Sequence, residues 1–575
     1  MTISSHLDIT SSTGRYLSLT DKNSNGIMNT ILDMFPRPLV YSLAPFAISA
    51  LVLILVRAYT TLSYYQSLKQ FDDSPKAGKH NITPPQIPYA IPWLGNTTSF
   101  LTSKPGHFWQ QLFSWYPRST GVCSLLIGGR KTHILFSPTA VQAMFKARSP
   151  SRDVFEQELL SSVFQLPNDQ IKNAWAGKSH ENEMNSQYLT KHERVNELTT
   201  HFTRVLDDVL SKDADDVINL GEIGLYHWIR DRMFTASTTA LMGEKLLQMY
   251  PEFCQDFFAF DNEFLMFFFA LPEFAMREAV GRRTRILDRL QAWSKDMHEL
   301  SGGQPVDPEG VAWEPLFGAR LNRARQLDYK VRNLNTRSAA AMDLGIVFGL
   351  SSNAIPATGW MLMELLKPDA EPTVLPRLMD ELREAERPDG SIDVPTLMSQ
   401  PLLQSVWVET LRLYTDILVT RNLPEDITLP LDEDGKRFVL FKKGDNLFAP
   451  SWLGQRDASL WSDKAPYNKF YAERFYTKAS SNGKGTFSMA TASSGKFFPF
   501  GGGKTICPGR VFAKQEALGA LAMILLRFEF EVKGFKDVDG RTTAHFPGFA
   551  KAFPGSGALV PGGDMMVKIR RRTKS

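Results

Sequence analysis

A single cysteine near the carboxyl end of the chain follows a run of glycines, in the segment FFPFGGGKTICPGR over 497–510. Three successive glycines let a backbone turn tightly and approach a flat ligand. Cys507 then lies just before a predicted helix, with Pro508 suited to the first turn of that helix. Because free N–H groups at a helix N-terminus stabilise a thiolate over a thiol, this position fits an iron–thiolate bond.

The residues of the glycine segment leave two other interpretations open. Cys507 would be a buried structural cysteine that only follows a glycine loop. Alternatively, the run Gly-Gly-Gly-Lys-Thr would bind phosphate, as nucleotide-binding loops do. The phosphate interpretation is the weaker, because the glycine spacing of such loops is absent and no strand clearly precedes the run.

Three charged residues upstream fit one buried cluster. Glu409 and Arg412 are three positions apart in a predicted helix, so they share a helical face and can form an ion pair. Arg474 can share the same carboxylate, which would give a hydrogen-bonded triad that fixes local geometry. Without the cysteine segment, Glu409 and Arg412 would be an ordinary surface pair.

These segments together resemble the motifs of the cytochromes P450. The family's haem-binding signature is similar to Phe500-x-x-Gly503-x-x-x-Cys507-x-Gly509, and its two upstream motifs resemble Glu409-Thr-Leu-Arg412 and Phe470-Tyr-Ala-Glu-Arg474-Phe475. The resemblance covers nearly the whole chain. It implies a haem-thiolate monooxygenase, with heme b (iron protoporphyrin IX) as the cofactor and Cys507 as the axial ligand of the haem iron.

The family's oxygen-activating stretch usually carries an acid–alcohol pair, and the matching residues here are Ser352-Asn353. With the Asn-x-x-Pro-Ala-Thr pattern, they resemble the branch containing sterol 7α- and 12α-hydroxylases and prostacyclin synthase. The resemblance implies that Ser352 and Asn353 are catalytic, with the Asn353 amide donating a hydrogen bond and a water acting as relay. The alternative is an amide that satisfies a backbone kinked at Pro356.

The haem propionates require basic partners, and the chain departs from the family at two usual positions. Thr505 stands where many relatives carry His or Arg, and the early helix lacks a clear Trp-x-x-x-Arg pair. We expect Arg421 to bind a propionate, because a guanidinium grips a carboxylate through two hydrogen bonds. An ordinary surface arginine is the alternative. Lys191, His192 or Arg194 would replace the missing early-helix arginine.

The elements that must position these groups are mainly helical. Apolar residues recur at helical spacing over long stretches, and short strands with turns follow, so we expect a mainly α fold with a minor β portion. The predicted helices include 193–211, 278–300, 333–367, 373–386, 395–414 and 509–527, and the predicted strands include 122–128 and 132–137. The helix over 333–367 carries a break at 351–356, as expected where a central rod passes a ligand.

Phenylalanines crowd the segment 253–274. In the cytochromes P450 the corresponding region roofs the substrate entrance and touches the membrane, which suits a lipophilic substrate such as a sterol, a terpenoid or another secondary metabolite. Core packing of two helices is the alternative.

The N-terminal region predicts a membrane anchor. Leu39–Val56 is uncharged, and its length as a helix is about 27 Å, close to the thickness of a bilayer core. We divide the chain into a polar tail at 1–36, an anchor at 37–60, a proline-rich hinge at 61–97 and a haem-binding domain at 98–575. Basic residues after the span place that domain in the cytosol, at the endoplasmic reticulum membrane.

Composition and the remaining motifs limit the partners. The 575 residues carry three cysteines and a formal net charge of +4, which favours neither a disulfide framework nor nucleic-acid binding. No flavin or nucleotide motif is evident, so electrons would come from an NADPH-cytochrome P450 reductase, with O2 as co-substrate. Two other hypotheses stay open: a haem-thiolate isomerase or dehydratase that needs no O2, and a non-catalytic haem-binding protein.

Overall fold

The computed structural model describes residues 37–73, 83–115, 121–219, 221–303, 306–478, 485–490, 495–551 and 553–572. The predicted polar tail at 1–36 lies outside these residues. Helices dominate and strands form a minor part, which confirms the predicted fold class.

The helices, in chain order, are α1 Arg37–Asp73, α2 Thr97–Thr102, α3 His107–Trp115, α4 Pro138–Lys146, α5 Asp153–Ser162, α6 Ile171–Ala176, α7 Lys178–Leu189, α8 His192–Asn219, α9 Leu225–Met242, α10 Lys245–Met249, α11 Phe253–Phe268, α12 Arg277–Leu300, α13 Arg320–Val331, α14 Thr336–Leu366, α15 Val374–Glu384, α16 Val394–Ser399, α17 Pro401–Tyr414, α18 Trp452–Gln455, α19 Ala458–Trp461 and α20 Arg510–Arg527.

The strands are β1 Val122–Ile127, β2 Arg130–Leu135, β3 Ile223–Gly224, β4 Trp313–Glu314, β5 Gly318–Ala319, β6 Thr415–Asn422, β7 Ile427–Pro430, β8 Phe438–Phe441, β9 Asn446–Pro450, β10 Tyr476–Thr477, β11 Thr486–Phe487, β12 Phe528–Asp537, β13 Thr542–Thr543, β14 Gly548–Phe549, β15 Ser556–Ala558 and β16 Pro561–Arg571.

In the described part of the chain, three small sheets have two strands each, and two larger sheets have five. One has the strand order β1-β2-β9-β6-β15, and the other has β13-β12-β16-β14 with β3 also paired to β16. β1 and β2 form the predicted hairpin, in which Gly128 and Gly129 both have positive φ angles, +57° and +74°. Two residues in that conformation match the twist of the paired strands, which explains the tight turn there.

The central helix α14 is buried over most of its length and packs against α9, α12, α17 and α20. It runs without a break from Thr336 to Leu366, so the interruption predicted at 351–356 is wrong. Pro356 removes one backbone donor, the one that would bond the Ser352 carbonyl, and the tightly packed neighbours hold the helix together around that loss. The predicted helix at 395–414 is instead two helices, because Pro401 begins α17.

Helix α1 contains the predicted anchor and extends beyond it to Asp73. Between Pro45 and Phe71 it is apolar and long enough to cross a membrane, and that stretch is largely exposed, whereas α14, which meets the same criterion, is mostly buried. The end of α1 packs on the body, where Tyr64 and Phe71 are buried and Arg57 donates to the Pro88 carbonyl. Residues 61–73 of the predicted hinge are therefore helical, and Tyr64, Leu68 and Phe71, at helical spacing, face the body.

Candidate functional site

The glycine loop before Cys507 adopts a conformation that only glycine tolerates. Gly501 and Gly503 have φ angles of +73° and +68°, in the left-handed region that disfavours other residues. A methyl group on Gly502 would overlap the Phe145 ring, and one on Gly503 would lie 2.6 Å from the Phe145 carbonyl oxygen. The loop is therefore pressed against α4 and fixed in shape.

We expect Gly503→Ala to destabilise the protein by more than the cost of placing alanine at a positive φ angle. Gly540 offers a matched control, because it has a φ of +76° and open space around it. Gly540→Ala should lower the free energy of unfolding by about 1–2 kcal/mol, and Gly503→Ala by more, because Phe145 must also move. Thermal unfolding and haem content per chain measure the difference. Equal effects would contradict the close fit inferred for the loop.

Cys507 follows the loop at the entrance to α20. Its N–H donates to the Phe500 carbonyl at 3.0 Å, and Gly509 caps α20. Pro508 thus precedes the cap and does not lie in the first helical turn, which corrects the sequence prediction. Phe500 is half-buried and lines a cavity of about 720 Å³ beside the loop, together with Phe145, Trp407 and Lys514.

The electrostatics of Cys507 differ from the expectation that the helix end alone holds a thiolate. Burial raises the pKa of the Cys507 thiol, and this effect outweighs the opposing N–H groups of Gly509 and Arg510 and the nearby charges of Arg152 and Arg510. These N–H groups and charges therefore lower the free energy of the Cys507 thiolate, but they do not by themselves make it the favoured form. A bound metal cation would supply the remaining stabilisation.

The predicted triad is present and buried. Two nitrogens of Arg412 donate to the two carboxylate oxygens of Glu409, each at 2.8 Å, and Arg474 Nε lies 3.0 Å from both oxygens. The Tyr471 N–H also donates to Glu409. Because the side chains of Glu409 and Arg412 have no exposed surface, the pair is not a surface ion pair.

Arg421 lies beside the glycine loop. Its guanidinium is 4% exposed and donates to the carbonyls of Thr420 and Gly502, at 2.8 and 2.9 Å. Burial lowers the pKa of Arg421 to about 10, and Arg152 contributes to that shift. A buried guanidinium whose hydrogen bonds reach only carbonyls keeps donors for a carboxylate ligand.

The sequence-based search missed two further cations here. Arg152 influences both Cys507 and Arg421, and Lys178 binds Asp153 and Glu156 while lying 4.0 Å above the Trp175 ring. The spacing of Trp175 and Lys178, three residues apart, was an available signal.

Arg194, one of the candidates for the missing early-helix arginine, is engaged elsewhere. It pairs with Glu309 at 2.7 Å and with Glu197 at 3.4 Å. Lys191 and His192, the other two candidates, are exposed.

Ser352 and Asn353 lie on α14 but point to different partners. The Asn353 carbonyl oxygen accepts from the Ala558 N–H at 2.9 Å, which leaves its amide N–H groups as donors. Asn353 and Gly349 are exposed on a helix that is otherwise buried around them, so they define an open face of α14. Ser352 donates to Asp261 on α11 at 3.0 Å, a contact that sequence reasoning missed. An aspartate in a segment rich in phenylalanine was the signal.

The aromatic segment 253–274 divides into two parts. Phe253, Phe257, Phe260 and Phe267 are buried in the main core, which supports packing as their role. Exposed apolar side chains collect near the end of the segment: Met266, Leu271 and Phe274.

Comparisons with known proteins agree with this arrangement. The family model described as Cytochrome P450 matches residues 323–552. Cytochrome P450 monooxygenase calL of Penicillium decumbens is 28% identical over 531 residues, 86% of this chain and 94% of that protein. Cytochrome P450 monooxygenase efuG of Hormonema carpetanum is 27% identical over 568 residues, 92% of this chain and 96% of that protein. Cholesterol 7-alpha-monooxygenase of Cricetulus griseus is 32% identical over 202 residues, 34% of this chain and 38% of that protein.

A helical body built around one long buried helix, with a cysteine loop before a late helix, defines an oxidoreductase of the haem-thiolate class. The chain belongs to the cytochrome P450 superfamily, in a branch similar to the 7α-hydroxylases, and is an oxygen-incorporating monooxygenase. The residues present fit a haem. Cys507 offers a sulfur ligand, the glycine loop has no side chains to obstruct a flat ring, and Arg421 is a buried cation with free donors.

Proposed function

We propose that this protein binds heme b through Cys507 and inserts one oxygen atom from O2 into a C–H bond of a lipophilic substrate. The observation that carries the proposal is the Cys507 loop, in which three glycines, two of them packed against Phe145, lead to a half-buried sulfur just before a helix start. When bound, a haem with a thiolate ligand supplies the oxygen chemistry, because the thiolate favours O–O cleavage.

The chain's own residues would bind and orient this group. Arg421, with Arg152 close enough to influence its charge, would neutralise the propionates, whereas Lys178 is already paired with Asp153 and Glu156. Gly503, Gly509 and Phe500 would shape the cysteine side, with a Gly509 N–H directed to the sulfur. Glu409, Arg412 and Arg474 would act more remotely, because their buried triad ties the end of α17 to the segment 465–474 that precedes the loop.

Asn353 would act at the open face of α14 and not at the cysteine loop. Its oxygen is held by Ala558, so its amide N–H groups are the donors available to a water or an oxygen ligand at the open face of α14. A methyl group on Gly557, which has a φ of +95°, would lie 2.5 Å from the Asn353 oxygen. Strand β15 therefore packs closely against the Asn353 amide oxygen.

The substrate would be a sterol, a terpenoid or another apolar secondary metabolite. Phe264 on α11 stacks with Phe348 on α14 and with Phe553, at ring distances of 5.2 and 6.2 Å. This aromatic cluster adjoins the open face of α14 and would contact an apolar molecule. The exposed Phe274 nearby suits entry from a membrane.

We further propose a single-pass protein of the endoplasmic reticulum membrane, with its anchor at 37–60 and its haem-binding domain in the cytosol. NADPH-cytochrome P450 reductase would supply electrons at the cysteine side, where Lys146, Lys504 and Lys514 provide positive charge.

The test uses the full-length protein in phospholipid vesicles with NADPH-cytochrome P450 reductase and a panel of sterols and terpenoids. Reduced protein should give a thiolate-type band with carbon monoxide, and isotopically labelled O2 should place one labelled oxygen in the product. A histidine-type band, or product oxygen that carries no label, would refute the proposal.

One observation favours a second candidate, a haem-thiolate isomerase or dehydratase. Asn353 replaces the alcohol that usually supports oxygen activation, and its oxygen is already bonded to Ala558. Such an enzyme would turn over without NADPH, so omission of NADPH separates the two candidates.

A further inference from the structure

Helices α11 and α14 meet at a polar contact within an aromatic surround. Ser352 Oγ lies 3.0 Å from Asp261 Oδ1, although the two residues are 91 positions apart. One turn along both helices, Phe264 stacks on Phe348 with the ring planes 18° apart. Asp261 is thus the acidic member of a helix contact that is otherwise apolar.

The neighbouring charges of α11 and α12 are already paired with one another. Asp256 binds Arg285, and Glu263 binds Arg282 through two hydrogen bonds. These pairs connect α11 to α12 and do not include Asp261. The hydrogen bond that the structure gives Asp261, within the described part of the chain, comes from Ser352.

A third helix, α9, carries Tyr226. Burial raises the pKa of Tyr226, and the nearby charge of Asp261 raises it further. Arg230 and Asp231 on α9 and Asp564 on β16 also act on Tyr226, and Asp564 accepts a hydrogen bond from the Tyr226 N–H. Burial raises the pKa of Asp261 to about 7, and the Ser352 hydrogen bond only partly opposes it. Asp261 also keeps part of its surface accessible.

Ser352 connects this carboxyl to the open face of α14. Gly349 is one turn before Ser352, and a methyl group placed on it would meet nothing within 4 Å. Asn353 is the next residue and is exposed on the same open face. Because Pro356 has no N–H, the Ser352 carbonyl also lacks its helical donor, which adds a free acceptor at this point.

We propose that Asp261 is a positioning residue that stores a proton and passes it through Ser352 to the face of α14 that carries Asn353. This rests on the proposed function, which places oxygen chemistry at that face. When Asp261 is protonated, its O–H donates to Ser352 Oγ, and the Ser352 hydroxyl turns from Asp261 to donate to a water above Gly349. The Asp261 proton then passes to Ser352 Oγ as the hydroxyl proton passes to that water. Only O–H bonds break and form, and Asp261 then regains a proton from solvent.

The acid that the family usually carries on the central helix would then come from a different helix in this chain. Ser352 stands at the usual acid position and holds the carboxylate of Asp261. A purely structural clip between α11 and α14 would show the same contact, so the experiments must measure proton behaviour.

The first experiment follows the infrared carbonyl band of protonated carboxyls in the full-length holoenzyme across pH. Asp261 should contribute a band below pH about 7 that disappears above it, because its raised pKa keeps the proton in that range. Asp261→Asn should remove this component. Glu516→Gln is the matched control, since Glu516 is another buried acid bonded to a serine, Ser237, and has a pKa raised to about 8. It should remove a different component.

The second experiment measures the fate of oxygen with NADPH and reductase in vesicles, without added substrate. Two electrons and two protons convert O2 to hydrogen peroxide, whereas four of each convert it to two waters. Asp261→Asn and Ser352→Ala should lower the share of water about tenfold at pH about 6 and remove its pH dependence. Ser352→Thr keeps a hydroxyl and should retain the wild-type share of water. Glu516→Gln should leave that share unchanged.

The outcomes separate the two proposals. Wild-type protein that lacks a thiolate-type band or consumes no oxygen would refute the proposed function, while the infrared titration still reports on Asp261. Wild-type protein that consumes oxygen, with Asp261→Asn giving the same water share across pH, would overturn the proton role. An Asp261 band that persists above pH about 9 or is absent at pH about 5 would overturn it as well.

Discussion

Glu409→Gln should greatly lower the yield of haem-loaded protein. The Glu409 carboxylate is shared by two buried guanidinium groups and by the Tyr471 N–H. Glutamine offers one oxygen, and its amide N–H groups would face donors. Because two positive charges would then remain buried without their counter-charge, we expect a loss of about 3–5 kcal/mol in the free energy of unfolding.

Asp380→Asn is the matched control for that substitution. Asp380 and Arg383 have the same three-residue spacing on α15, but the side chains are 72% and 53% exposed. Solvent screens such a pair, so its loss should change stability by less than about 0.5 kcal/mol. Thermal unfolding and haem per chain, measured on membrane fractions at equal protein, compare the two variants. Similar losses of stability and haem in both variants would show that burial of the triad does not cause the effect of Glu409→Gln.

Local patterns explain which parts of the fold and site were predictable. The pairing of Glu409 with Arg412 follows from helical spacing, and the β1–β2 hairpin follows from Gly128-Gly129 between two apolar runs. Both depend on residues close in sequence, for which periodicity and backbone preference decide the geometry.

Contacts between distant segments were not predictable in the same way. Asn353 bonds Ala558 and Ser352 bonds Asp261, at separations of 205 and 91 residues, so their geometry depends on how α14 packs against β15 and α11. Pro356 showed the opposite error, because a local rule for helix breaking was overridden by packing on all sides of α14. Tertiary packing thus decided the contacts of Ser352 and Asn353, whereas local sequence decided the turn before Cys507.

Cys507→Ala should abolish the thiolate-type carbon monoxide band and lower turnover by about a thousandfold or more, as when an enzyme loses the central member of a catalytic unit. Alanine retains the small volume of the side chain but removes the sulfur that the Gly509 and Arg510 N–H groups approach. Cys254→Ala is the control, because Cys254 is half-buried on α11 beside Asp231 and far along the chain from the glycine loop. It should retain the wild-type spectrum.

Cys507→His separates loss of the ligand from loss of the fold. An imidazole at this position would still bind iron, so the variant should retain some haem and give a histidine-type band. Two results are therefore expected together. Haem bound by Cys507→His should show a changed spectrum, and Cys507→Ala should show no thiolate-type band. A thiolate-type band in both variants would require another sulfur ligand. The other cysteines of the chain are Cys123, which is buried within β1, and Cys254. Cys123 lies within a strand. Cys254 lies in the first turn of α11, but burial and the nearby Asp231 raise the pKa of its thiol, and no run of glycines precedes it. The physical case for iron binding therefore rests on position 507.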